Sequence, residues 1–244
     1  MKFNLTLLSE TSRKACIFIS LLSGAAFISS CTHNDPEPIP DRAAFTVINA
    51  APSRPSVDFY LNNTILPINT PLVYGNNTKY FVVIPPGSKT GKVTVAGNTA
   101  NIGTQKIDLE NDRYHSVFIT NSADTVSLLK IRDDWGNDKA GSAQVRFVNL
   151  SPDAPNYSLE YANDPTTFSN RAYREYTEFK YVPAKTGITL NLRNTATNTI
   201  VATLADIELK DRVIYTVWAK GFANQLPTDT ARRIKITRHD PRIY

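Results

Sequence analysis

The chain has 244 residues, 41% hydrophobic and 20% charged, a balance that is ordinary for a globular protein and gives room for one or two domains. Lys and Arg number 27 against 22 Asp and Glu, a formal net charge of +5 that is too small and too scattered for a nucleic-acid footprint. Fifteen Pro against ten Gly, with eleven Tyr, eleven Phe and a single Met, favours strands and turns over helices.

The first thirty residues read as an export signal. Lys2, Arg13 and Lys14 precede an apolar run from Ala15 to Ser30 that ends Ile28-Ser29-Ser30-Cys31. Ser20, Ser23, Ser29 and Ser30 interrupt it, so it falls short of the about 20 apolar residues that a bilayer core requires. Small residues before a cysteine resemble a bacterial lipoprotein signal, which implies cleavage before Cys31 and lipid attachment there. Cys16 then leaves with the signal, so the mature chain holds one cysteine and no internal disulfide. Losing residues 1–30 also leaves 24 basic and 21 acidic residues, a net charge of +3.

Residues 31–43 are expected to form the anchor and a Pro-rich, semi-extended tether with a reach of roughly 30 Å at about 3.1 Å per residue. Asp35 and Glu37 resemble the acidic stretch that sends some lipoproteins of certain Gram-negative bacteria to the outer face of the outer membrane, and read equally as part of a soluble spacer. The implied location is the bacterial envelope, on an outer-membrane lipoprotein with a cell-surface aspect.

Short strands at regular spacing follow. The first module, residues 44–134, is predicted to place strands at 45–49, 57–61, 79–84, 92–95, 105–109, 116–120 and 125–131, with turns at Asn62-Asn63 and Pro85-Pro86-Gly87. A polar, glycine-bearing linker at 135–142 leads to a second module at 143–240. Its strands are predicted at 145–149, 157–161, 177–182, 189–192, 205–209, 215–220 and 233–237. No segment keeps a helical period. Six or seven short strands in about 100 residues point to an all-β fold of two immunoglobulin-like β-sandwich modules.

The halves echo each other. Gln144-Val-Arg-Phe-Val-Asn-Leu-Ser-Pro-Asp-Ala-Pro155 repeats Phe45-Thr-Val-Ile-Asn-Ala-Ala-Pro-Ser-Arg-Pro55, with Asn49, Pro52 and Pro55 each 100 residues before Asn149, Pro152 and Pro155. Each motif ends a strand, because proline offers no ladder N–H. Leu209-Lys-Asp-Arg-Val-Ile-Tyr215 looks like the tyrosine corner of immunoglobulin-type sandwiches; its counterpart, Leu109-Glu-Asn-Asp-Arg-Tyr-His115, has histidine at the tyrosine position.

These features together resemble the bacterial domain-of-unknown-function 4397 family over residues 44–240, with Ser151-Pro-Asp-Ala-Pro155 matching its usual form and Ala51-Pro-Ser-Arg-Pro55 degenerate. The resemblance implies a secreted or lipid-anchored protein, often with the domain in tandem, and no assigned activity.

A search for chemistry returns little. His33 lies in the tether, His115 at the corner and His239 after the last strand, and none sits in a motif beside a serine or cysteine nucleophile. The expectation is no enzyme, no cofactor and no metal. Asp133-Asp134-x-Gly136-Asn137-Asp138 offers oxygen ligands but lacks the register and closing glutamate of a calcium loop, and reads as solvated linker. The basic run through Lys235 and Arg238 alternates with Ile234 and Ile236 and reads as the solvent face of a last strand, which argues against a nucleic-acid partner.

Trp218, Phe179 and Tyr181 are read as core. Trp135, Tyr173 and Tyr176 are candidates for a ligand-facing aromatic surface that would take a glycan or protein. Asp124-Thr125-Val126 and Asp229-Thr230-Ala231 each precede a final strand. They resemble the Asp-Thr-aliphatic sites of bacterial O-glycosylation, which makes Thr125 and Thr230 candidate sites. The function expected is a lipid-anchored, non-enzymatic binding or structural surface component. A carbohydrate-binding or enzyme-accessory lipoprotein and a fimbria-like adhesin subunit stand as alternatives.

Overall fold

Apolar residues at every second position set the strands, and the computed structural model, which describes residues 40–67, 69–122, 124–162, 167–224 and 233–239, places them where that alternation runs. The first half contains β1 (Ala43–Asn49), β2 (Ser56–Leu61), β3 (Thr64–Leu66), β4 (Leu72–Val73), β5 (Phe81–Val83), β6 (Gly87–Val95), β7 (Asn101–Leu109), β8 (Tyr114–Ser122) and β9 (Thr125–Arg132). The second contains β10 (Ser142–Asn149), β11 (Tyr157–Tyr161), β12 (Thr167–Arg171), β13 (Lys180–Pro183), β14 (Lys185–Asn194), β15 (Thr199–Leu209), β16 (Ile214–Lys220) and β17 (Arg233–His239).

Each half is a sandwich of two sheets, and the strand order of the first recurs in the second. The inner sheets run β5-β1-β8-β9 and β13-β10-β16-β17; the outer sheets run β3-β2-β6-β7, with β4 also on β2, and β12-β11-β14-β15. Neighbours are antiparallel except for β1 with β8 and β10 with β16. Phe45, Val47, Val117 and Ile119 of one inner sheet meet Val57, Phe59, Val93 and Ile107 of its outer sheet. Val145, Phe147, Tyr215 and Val217 meet Tyr157, Leu159, Leu190 and Leu192 in the same way.

A third apolar cluster joins the halves. Ile48, Ala50, Phe118 and Ile131 pack with Val148, Leu150 and Trp218, all from the faces of the inner sheets turned away from their own cores. β1, β8, β10 and β16 are therefore buried along nearly their whole length instead of at alternate positions. The result is four layers, outer, inner, inner, outer. Ile48 pairs with Phe118 as Val148 pairs with Trp218, so the same two positions of each half, 100 residues apart, face one another across the junction. Trp218 is fully buried there, and truncating it to Ala would cost about 3–5 kcal/mol.

The motif asparagines are buried hubs. Asn49 Nδ2 donates to the carbonyls of Arg54 and Leu72, both at 3.0 Å, while its Oδ1 accepts from the Ala51 N–H at 3.1 Å. Asn149 donates to Arg171 O at 2.9 Å and Pro155 O at 3.5 Å and accepts from the Ser151 N–H at 3.2 Å. A side-chain amide supplies two donors and an acceptor on one short stem, enough to fasten the Pro-x-x-Pro turn to a neighbouring strand. The corner is present in both halves: Tyr215 Oη accepts from the Lys210 N–H at 3.1 Å, and His115 Nε2 accepts from the Glu110 N–H at 3.4 Å.

Several expectations change. β3, β4 and β12 were not predicted; β3 and β4 are too short to alternate, and Thr-Phe-Ser-Asn-Arg in β12 carries one apolar residue. Phe179 and Tyr181 are not core: Phe179 is half-buried over Arg146, and Tyr181 is 43% exposed with its hydroxyl donating to Asn137 O at 2.6 Å. Val182 takes the core position instead. Asp133 is no solvated linker residue but a buried anion. Cys31, Thr230, the signal and the tether up to residue 39 lie outside the described residues.

Candidate functional site

Beside the apolar junction the inner sheets bury a ring of polar side chains. Arg146, on the junction face of β10, donates from Nη2 to Asp133 Oδ1 at 2.5 Å and to Ser116 Oγ at 3.0 Å, and from Nε to Thr216 Oγ1 at 2.8 Å. Ser116 Oγ donates to Asp133 Oδ2 at 3.0 Å, and Tyr80 Oη donates to the same oxygen at 2.9 Å. His239 closes the ring, with Nε2 2.7 Å from Thr216 Oγ1 and Nδ1 2.8 Å from Tyr80 Oη.

The donors can all run one way. Tyr80 spends its hydroxyl proton on Asp133, so it must accept from His239 Nδ1–H; His239 Nε2 then accepts from Thr216, whose oxygen accepts from Arg146. That circuit needs a neutral His239, and burial holds its pKa down to about 4. Burial and the adjacent Asp133 carboxylate push the Tyr80 phenol well above its ordinary value.

Arg146 is 1% exposed and the Asp133 side chain 0%, and Phe179 covers the guanidinium at 4.7 Å. Trp135 sits between rings of both halves, 4.8 Å from Tyr114 and 6.3 Å from Phe179. Hydroxyl, imidazole and carboxylate meet here buried and bonded to one another. The arrangement fastens two sheets together.

Two surface features remain. A groove of about 310 Å³ at the junction is lined by Glu110, Lys130, Arg132 and Asp134 from the first half and Tyr176 and Glu178 from the second. Glu110 bonds Lys130 Nζ and Arg132 Nη1, each at 3.0 Å, and these two cations hold its carboxyl down to about 2. Arg132 also pairs with Asp134. The other is a cleft of about 330 Å³ between the free edges of β3 and β5, lined by Phe45, Leu61, Leu66, Phe81 and Val83. At the equivalent edge of the second half Lys180 lies over the Phe168 ring at 5.1 Å and donates to Thr167 O at 3.0 Å, stopping the opening.

Of the sequence-derived aromatics, Tyr176 is 40% exposed and lines the groove. Tyr173 is half-buried in the junction, its hydroxyl donating to Asn121 O at 2.9 Å, and Trp135 is half-buried between its neighbours. Thr125 is exposed as the first residue of β9. Glu178, Lys130 and Arg132 carry no sequence signal as site residues, although period two does set Glu178 on the side of Tyr176. Among the described residues no group of three or more His, Cys, Asp or Glu side chains could hold a metal ion.

The family model of the domain of unknown function DUF4397 matches residues 43–160, which takes in the whole first sandwich, β10 and all but the last residue of β11. No curated protein matches the chain. Among solved structures, the N-terminal domain of AlgF from P. aeruginosa is 19% identical, covering 38% of this chain and 96% of that one, with a TM-score of 0.28. A streptococcal virulence factor described for alpha-glucan binding is 10% identical over 70% of this chain and 92% of its own, with a TM-score of 0.23. A pair of C2 domains from Extended-Synaptotagmin 2 is 11% identical over 98% of this chain and 99% of its own, also at 0.23. At such scores nothing said of those proteins transfers to this chain.

Proposed function

We infer that this chain, whose residues 43–160 match the DUF4397 family model, is a lipid-anchored, non-enzymatic binding or structural component of a bacterial envelope, with a second copy of the same domain after residue 142. The observation that carries the reading is the junction. Four sheets are fixed as one body by an apolar patch and a saturated polar ring, and the hydroxyl, imidazole and carboxylate that could have served hydrolysis are spent on fastening it. A rigid stack of this kind suits a spacer or display platform, and the lipid on Cys31 would hold it at the membrane. The recurrence of strand order supports the second copy.

The test is fractionation of the native host. Cys31→Ala should release the protein from the membrane fraction; a variant that stays there after a high-salt wash overturns the anchor. Thr125, exposed where β9 begins, and Thr230 are the places for O-linked sugar in such a host, where bulky glycan would shield the strand entrance. An intact mass showing polypeptide and lipid alone would leave Asp124 as a turn residue only.

A further inference from the structure

We propose that the junction groove at Tyr176 binds a neutral saccharide. The backbone that presents it is fixed: Tyr176 bridges Val148, and Thr177 both donates its N–H to Phe147 O at 2.9 Å and accepts the Phe147 N–H on Oγ1 at 3.0 Å. Extended chain alternates, so Thr177 and Phe179 turn inward and Tyr176 and Glu178 are left on the groove. An exposed ring held this way is a platform for the C–H face of a pyranose, and it costs little entropy to use.

The opposite wall supplies both halves of hydroxyl recognition. Lys130 and Arg132 donate, Glu110 and Asp134 accept, and their mutual pairing holds all four in place before any ligand arrives. Glu178 is a further carboxylate with acceptor oxygens. Three carboxylates against two cations give the groove a net charge of −1, which disfavours acidic sugars and phosphates. A polyol that donates and accepts at once, without charge, fits best.

The other side of the junction shows what is special here. By strand register the positions equivalent to Tyr176, Glu178, Glu110 and Arg132 are Asn77, Lys79, Lys210 and Arg238, three cations and no ring. Of the two related surfaces, the one with Tyr176 carries the ring.

The proposal rests on the binding half of the reading above, and its test uses soluble protein, so it can fail while the anchor stands, or the reverse. Purified Cys31→Ala chain is titrated with cellohexaose, maltohexaose, chitohexaose and mannohexaose, and with hexagalacturonate as the acidic probe, following backbone amide shifts. One or more neutral hexasaccharides should bind with Kd on the order of 0.1–1 mM and shift Lys130, Arg132, Tyr176 and Glu178 amides. Tyr176→Ala should weaken that binding by about tenfold or more, Tyr176→Phe should retain most of it, and Tyr181→Ala should leave it unchanged. The proposal is overturned by no shift at these residues with any neutral probe up to millimolar concentration. Undiminished binding by a Tyr176→Ala chain with native amide dispersion, or stronger binding of hexagalacturonate, overturns it equally.

Discussion

The two halves share strand order, corner and asparagine hub, yet they differ at the positions that meet. Register makes Thr46 equivalent to Arg146, Ser116 to Thr216, Tyr80 to Phe179 and Asp133 to His239. Each side contributes a different partner to one ring, the acid from the first half and the base from the second. A similar contrast separates the free edges, where Phe81 opens a cleft in the first half and Lys180, its equivalent, closes the second. A repeated backbone thus supplies the layers, and side-chain divergence fixes which layer faces which.

The largest effect should come from breaking the ring at its charge. Asp133→Ala leaves Arg146 buried without a carboxylate, and urea unfolding should show a loss of about 3–5 kcal/mol. The double variant Asp133→Leu/Arg146→Met should recover most of it, since an apolar pair of similar volume avoids the desolvation cost. A single variant within about 1 kcal/mol of the parent would mean that the halves do not depend on this contact.

Acid should act next, through the base. The His239 pKa is about 4 in the fold against 6.5 for the free side chain, so the unfolded chain binds more protons between those values. Stability from this group is fully present above pH 6.5 and is lost as pH falls toward 4, a difference of about 3 kcal/mol. Burial lowers His115 in the same direction, whereas Glu110, held to about 2, stays ionised across the window. Urea midpoints from pH 7 to 4 should fall, and His239→Gln should flatten the fall; an unchanged slope in that variant assigns the titration elsewhere.

The smallest effect compares the corners. Tyr215→Phe and His115→Phe each strand one backbone N–H, of Lys210 and Glu110, and each should cost about 1 kcal/mol by thermal unfolding. Unequal losses, with His115→Phe neutral, would show that histidine only fills the tyrosine's space.

Most of the sandwich was legible because it rests on local chemistry. Prolines end β1 and β10, Asn62 and Asn63 take positive φ at a hairpin turn, and alternation marks the two cores. The four-layer stack was not legible, because Gln144-Val-Arg-Phe-Val reads as a strand with one wet face, and only a partner sheet turns Arg146 inward. Trp218 was legible as buried, and with Phe118 it lies on the faces of β8 and β16 turned away from their own cores, where large rings would have no reason to line a solvated face. Tyr176 could be singled out as an aromatic in a polar stretch. Its partners across the junction could not, being ordinary surface charges drawn from β9, from Asp134 just after it and from the turn after β7.

The ring has a consequence for how such a pair of domains can exist at all. In a dimer of two identical chains, any residue at position 146 would have its own copy at 46, so one arginine would become two, crowded about the axis, and each would need its own acid. Within one polypeptide the two sites are free to differ, and a single arginine suffices. Covalent linkage therefore permits an asymmetric lock, and a gene carrying either half alone could not reproduce it by self-association.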